Sequence, residues 1–365
     1  MPKIIAMKHI TYSEGKINEP KPIRLLLVFI LLISILEFYA CTKNSAGTPP
    51  PPPADSVDVY IAGTEYGGLS TVYSYAEIWK NGKLTNLSDG TKSEYVNGIF
   101  VSNGDVYLAG EELDGFTFFG KYWKNGVPTV FTDSMSHTTG IAVSGNDVYV
   151  TGYSLDLTTY HSVAEFWKNG TLFKLTADTS DAAAIAIAIS GGDVYIAGID
   201  RGVFKLWVNG VLRDIPNSTI PGTIRSLYVL GNDVYVTGND YDPVSSKNTA
   251  AYWKNGAEVK LTNGSLDSYA NSIVVSGTDV YVAGLEAGSS GTNNAARYWK
   301  NGQQVNLADI ATQNVIANAI AVHGNDVYVS ASGNNTINYW LNGKSVSLGS
   351  GAEHFNSSCI FVSIR

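Results

Sequence analysis

Few side chains in this 365-residue chain have the types and spacing that chemistry requires. Beyond residue 40 there are four histidines: His137, His161, His323 and His354. They share no zinc-ligand spacing. Cys41 and Cys359 are too few for a disulfide framework. Cys359 lies in the strand-like run SSCIFVSIR and reads as a buried, inert thiol. No Gly-x-Ser-x-Gly turn occurs, and no complete Gly-x4-Gly-Lys-Ser/Thr phosphate loop. The pairs Glu111–Glu112 and Asp240/Asp242 would suit glycoside hydrolysis, which needs two carboxyls about 5–9.5 Å apart. Many surfaces meet that condition. Nothing in this inventory calls for a metal or a cofactor.

The elements that position these residues are repeats. Asp-Val-Tyr starts at Asp58, Asp105, Asp147, Asp193, Asp233, Asp279 and Asp326. Trp-x-Asn-Gly starts at Trp79, Trp123, Trp167, Trp207, Trp253, Trp299 and Trp340, which are all the tryptophans of the chain. The two markers alternate strictly. A period in the forties signals a propeller or solenoid.

One unit, residues 271–309, parses into four short strands, A to D. SIVVS is A, DVYVAG is B, AARYW is C and QQVNL is D. Asn-Gly between C and D is a strong hairpin signal, because both residues tolerate positive φ. DAAAIAIAIS at 181–190 has helical propensity, but the repeat register makes it strand A.

These units predict an all-β fold: a seven-bladed β-propeller with four antiparallel strands per blade. The first unit begins at strand B, and the chain ends on an orphan strand A at 357–365. The C-terminal strand is therefore expected to join blade one and close the ring, removing exposed sheet edges. Strand order within a blade stays open between A-B-C-D and C-D-A-B.

The run Ile141-Ala142-Val143-Ser144 followed by Asp147-Val148-Tyr149-Val150 resembles the YVTN and NHL families of propeller repeats. The resemblance covers residues 58–365. It implies strand A at the central channel and says almost nothing about chemistry.

Topology then sorts the surfaces. The tight A–B and C–D turns share one face, the bottom; the longer, variable B–C and D–A connections share the top. Variable loops on a rigid scaffold carry function. Glu65, Glu112, Asp200, Asp240 and Glu286 stand at equivalent top-face sites, with Ser154 and Gly333 breaking the series. Five such acids would form a ring attracting a cation or basic partner. They lie outside the blade-packing pattern, so neutralising them is expected to spare the fold. At the start of strand A the equivalent residues are Asn97, Thr139, Ile185, Arg225, Asn271, Asn318 and Ser358, a polar channel mouth able to bind a ligand. Tyr66, Phe118, Phe119, Tyr160 and Tyr241 add top-face aromatics suited to sugar or protein. At the bottom, Lys80, Lys124, Lys168, Lys254 and Lys300 form a cationic ring that could meet anionic headgroups. The recurring Trp and Tyr read as core packing, and the recurring Asp as a backbone-bonding residue of the A–B turn.

The N-terminus is an address. LLLVFILLISIL, residues 25–36, is too short to span a membrane and fits the apolar core of a signal peptide. Ala40–Cys41 resembles the lipobox of bacterial lipoproteins, in a loose form similar to that of Bacteroidota, although Glu37, Phe38 and Tyr39 depart from the usual pattern. The resemblance implies cleavage before Cys41, lipidation of Cys41, and sorting to the outer membrane, facing the periplasm or the cell surface. The expected organisation is a signal over 1–40, a lipidated Cys and Pro-rich spacer over 41–57, and the propeller over 58–365. Without residues 1–40 the chain has 19 basic and 29 acidic residues, a net charge of −10, which disfavours nucleic acid. Blade uniformity favours a monomeric, non-enzymatic binding or scaffold module with a protein or glycan at the top face. A carbohydrate-active enzyme and a subunit of an envelope assembly or uptake complex are the alternatives.

Overall fold

The computed structural model describes residues 56–66, 73–177, 179, 181–213, 222–288, 293–307, 314–333, 338–348 and 355–365. Cys41, the signal, the spacer up to residue 55 and His354 lie outside them.

Seven four-stranded antiparallel sheets are present, each in the order A-B-C-D. The innermost A strands are Phe355–Ile364 in blade one, then Ser93–Ser102, Ser136–Ser144, Ala182–Ser190, Gly222–Leu230, Ser268–Ser276 and Val315–His323 in blades two to seven. The segment of helical propensity at 181–190 is thus a strand, as the repeat register requires. Blade one is completed by the C-terminal strand, which pairs with strand B, Val57–Glu65, from Val57↔Ile364 to Glu65↔Phe355. At that seam Arg365 Nε lies 2.6 Å from Asp58 Oδ1, and Arg365 N donates to the Ser56 carbonyl at 2.9 Å.

Neighbouring blades bury their faces against one another. All seven tryptophans are 0–6% exposed. In every case the Trp of one blade shares an apolar cluster with the Asp-Val-Tyr tyrosine of the preceding blade, including Trp79 with Tyr328 across the seam. The aromatic repeats are therefore core, each burying large area at one recurring interface.

The same two markers meet again at the bottom face. In all seven blades the Asn of Trp-x-Asn-Gly donates from Nδ2 to Oδ1 of the Asp before Val-Tyr, at 2.7–2.8 Å. Its Oδ1 accepts the backbone N–H of the following Val at 2.8–2.9 Å. These asparagines hold φ of 50–52°, a left-handed conformation that Asn tolerates better than most residues. The recurring Asp thus bonds the side chain of the C–D turn, while Asn satisfies the backbone amide expected for it.

The five lysines of the C–D turns complete this arrangement. Each lies 2.7–2.8 Å from the Asp of its own blade. Each also lies over the Tyr of Asp-Val-Tyr, 5.0–5.3 Å from the ring centroid.

Candidate functional site: the channel mouth

A β-bulge interrupts the innermost strand of every blade. Pairing with strand B skips Asn97, Thr139, Ile185, Arg225, Asn271, Asn318 and Ser358. These are the seven positions the repeat alignment made equivalent at the strand start. The strands begin several residues earlier, and each of these residues is the extra one of its bulge. An unpaired bulge residue bends the strand and re-aims its side chain. The glycine of strand B makes room for the distortion. A Cβ on Gly152 would lie 1.9 Å from the His137 carbonyl oxygen, an impossible approach.

Six of the seven bulge residues line one cavity of about 610 Å³: Asn97, Thr139, Ile185, Arg225, Asn271 and Asn318. Thr138, Ile224, Tyr269, Leu285 and Ile316 complete its wall. A second cavity of about 220 Å³ runs along the same strands, where Ile99, Ile141, Ile187, Leu227, Ile320 and Ile360 join Ser226 and Ser272 in the lining. Strand A is therefore innermost, and the other strand order does not hold.

Three bulge side chains tie adjacent blades together. Asn97 Nδ2 donates to the Thr138 carbonyl at 2.9 Å, Thr139 Oγ1 to the Ala184 carbonyl at 2.8 Å, and Asn271 Nδ2 to the Ala317 carbonyl at 2.9 Å. Asn318 turns back to Ser332 Oγ of its own blade, at 2.9 Å. Arg225 differs. Its guanidinium lies 5.6 Å from the ring centroid of Tyr269 in the next blade, within cation–π range. It has no carboxylate partner among the described residues, and its side chain remains open to solvent. Partial desolvation by the channel walls lowers its pKa from the usual arginine value, with Tyr269 opposing the shift.

The five top-face acids do not share this mouth. Glu112 pairs with Lys121 at 2.9 Å and with Lys92 at 2.8 Å. Lys121, 1% exposed, also pairs with Glu94. Asp240 meets Lys260 at 2.8 Å, and Glu286 lies 3.7 Å from Arg297 Nε. Glu65 neighbours Glu77, which is 2% exposed; burial, reinforced by the Glu65 carboxylate, pushes Glu77 up to about 8. Asp200 ends strand B of blade four, half-buried, opposite Val203. Glu112, Asp240 and Glu286 thus serve as counter-charges inside their own blades.

The residue two before the Trp in strand C explains the Glu65, Glu112 and Glu286 contacts but not that of Asp240, whose partner Lys260 lies in strand D, and the motif reading passed over it. It is Glu77, Lys121, Glu165, Lys205 and Arg297 in five blades. It lies opposite the strand-B glycine, as in Gly63↔Glu77, Gly110↔Lys121 and Gly284↔Arg297. This register makes it a diagonal neighbour of the acid two residues further along strand B. A charged residue at a fixed offset from a core Trp was the available signal.

Two of the top-face aromatics join a chain of rings over blades one to three. Centroids are 6.5 Å apart for Tyr66–Tyr95, 6.3 Å for Tyr95–Phe118, 4.6 Å for Phe118–His137 and 5.0 Å for His137–Tyr153. His137 Nδ1 lies 3.2 Å from Glu111 Oε2. Tyr160 and Tyr241 stand apart from this chain, exposed in blades three and five. Among the described residues no cluster of three or more His, Cys, Asp or Glu could hold a metal ion.

No family model matches the chain, and no curated protein matches it. Among solved structures it is similar to the propeller domain of the trilobed protease from Pyrococcus furiosus, at 11% identity and TM-score 0.44, over 71% of this chain and 86% of that one. YjhT is similar at 12% identity and TM-score 0.43, over 73% and 96%. TolB from Acinetobacter baumannii is similar at 13% identity and TM-score 0.44, over 67% and 62%. The likeness is one of fold alone.

Proposed function

We propose that this chain is a non-enzymatic binding module, tethered by a lipid on Cys41 to a bacterial outer membrane, that takes its ligand at the mouth of the propeller channel. The carrying observation is the set of seven equivalent bulges, six of which present their residues to one cavity. A cavity of about 610 Å³ falls within the range of ligand sites, roughly 300–1,000 Å³. Its wall mixes apolar groups with a few polar ones, the composition such sites have. Glu112 and Glu286 neutralise buried cations of their own blades, and the recognition surface is the mouth.

The remaining features fit this reading. A net charge of −10 after removal of the signal disfavours nucleic acid as a partner. Ser56 lies beside the C-terminal Arg365 at the bottom face, and the mouth that takes a glycan or protein lies at the opposite face.

A glycan-array screen paired with pull-down from the native envelope tests the reading, using the full chain and an Asn271→Trp variant whose indole fills the mouth. A partner captured by the wild type and lost by the variant, at unchanged melting temperature, supports it. Capture of every partner by both proteins overturns it. Specific recovery of envelope assembly proteins would make the chain a subunit of such a complex.

A further inference from the structure

Among the described residues lining the mouth, Arg225 is the one that carries a charge. The chain is acidic as a whole, yet this cavity carries a cation that meets the face of Tyr269 and, among the described residues, no carboxylate. A guanidinium presents a planar fork of donors matched to an oxyanion. Its single positive charge balances one carboxylate, whereas a phosphate monoester carries about −1.5 to −2.

The neighbouring amides complete the specification. Asn97 and Asn271 commit Nδ2 to carbonyl groups of the next blade, and Thr139 commits its hydroxyl in the same way. Among the described residues no donor reaches Oδ1 of Asn97 or Asn271, an acceptor with two lone pairs. Acceptors lining a site call for hydroxyl donors on the ligand. Ile185, Leu285, Ile316 and the Tyr269 ring provide apolar contact between these polar points. One carboxylate, several hydroxyls and apolar ring faces together describe an acidic sugar.

Resting on the channel-mouth reading above, we propose that the ligand is a hexuronate or short oligouronide, its carboxylate held by Arg225 and its hydroxyls by the amide oxygens of Asn271 and Asn97. The inter-blade bonds of those asparagines fix the oxygens before the ligand arrives, so little ordering remains to be done on binding. Arg225 supplies the discrimination between acidic and neutral sugars.

Calorimetric titration of the full chain with oligogalacturonate and oligoglucuronate, against their carboxyl-reduced counterparts, tests this. The acidic sugars are expected to bind about 10- to 100-fold more tightly, the value of a charge-assisted hydrogen-bonded pair. Arg225→Met should remove that preference, and Arg225→Lys should retain part of it. Both variants should melt like the wild type, since the side chain is open to solvent. Equal binding of acidic and reduced sugars, or no loss in Arg225→Met, overturns the acidic-sugar inference while leaving the channel-mouth reading standing. Absence of uronide binding also overturns it, and competition by inorganic phosphate or by an acidic peptide would redirect the site to those anions. Failure of the channel-mouth reading shows separately, as Asn271→Trp retaining every partner.

Discussion

Asn301 Nδ2 lies 2.8 Å from Asp279 Oδ1, across 22 residues of chain. The same asparagine accepts the Val280 amide at 2.8 Å and holds φ of 51°. One side chain thus joins the A–B turn to the C–D turn while supplying the conformation the hairpin needs. Asn301→Gly keeps the positive φ and loses both bonds; Asn301→Ala loses the bonds and adds left-handed strain of about 1–2 kcal/mol. Urea midpoints are expected to fall in the order wild type, Gly, Ala. A Gly variant as stable as the wild type would show that the Asp279 link contributes nothing.

Ring closure is tested at the seam. Removing residues 357–365 takes away most of strand A of blade one, with its pairing to Val57–Glu65 and the Asp58–Arg365 contact. It also strips Ile360 from the apolar cluster it forms with Ile61 and Trp79, exposing both. The loss is expected to rival the whole stability margin of a domain, about 5–15 kcal/mol. Calorimetry should show a large drop in melting temperature or no cooperative transition. An unchanged transition would contradict the closed ring.

The architecture was legible because it is written seven times: Trp79 and Tyr328 occupy positions that recur in every blade, so their contact across the seam follows from the repeat. The channel mouth was legible as a set of equivalent positions. That these residues are bulges was not, because a bulge is a property of pairing between two strands. The acids were legible as a series, but their partners were not. Lys121 lies in a different strand from Glu112, and antiparallel register decides that they meet. Charge carries no periodic hydrophobic signal, so a buried lysine in an apolar strand reads as an exposed one.

The proposed lipid anchor has a direct test. Cys41→Ala should abolish palmitate labelling and release the protein from membranes, read by fractionation. Retention of the variant in the membrane fraction would remove the anchor from the functional reading.

The Glu65–Glu77 pair predicts a pH dependence of stability. Burial first, and the neighbouring Glu65 carboxylate second, hold Glu77 protonated up to about pH 8 in the folded protein, against an ordinary value of 4.5. A raised carboxyl pKa means the folded state binds the proton that the unfolded chain releases. This group's contribution therefore favours folding below pH 4.5, declines as pH rises towards 8, and is constant above. Glu77→Gln should match the wild type near pH 4 and exceed it at pH 8 by an amount on the order of a few kcal/mol. Parallel stability curves for the two proteins across that range would rule out the shift.

The top-face acids separate into structural and superficial pairs. Lys121 is enclosed by Glu94 and Glu112, and Arg297, also buried, faces Glu286. Lys260, by contrast, keeps half of its side chain in water while it meets Asp240. An exposed pair contributes about 0–1 kcal/mol, whereas breaking a buried pair leaves an uncompensated charge and costs about 3–5 kcal/mol. Lys121→Met alone should therefore destabilise strongly, and the triple change Glu94→Gln, Lys121→Met, Glu112→Gln should recover much of the loss. Asp240→Asn should be nearly silent. Neutralising all five acids together would then weaken the fold through Glu112 and Glu286, rather than act on a partner alone. Thermal melts of these variants decide the matter: if Lys121→Met and Asp240→Asn behave alike, the acids are solvated loop residues, and the charged residues of strand C have no part in holding the blades.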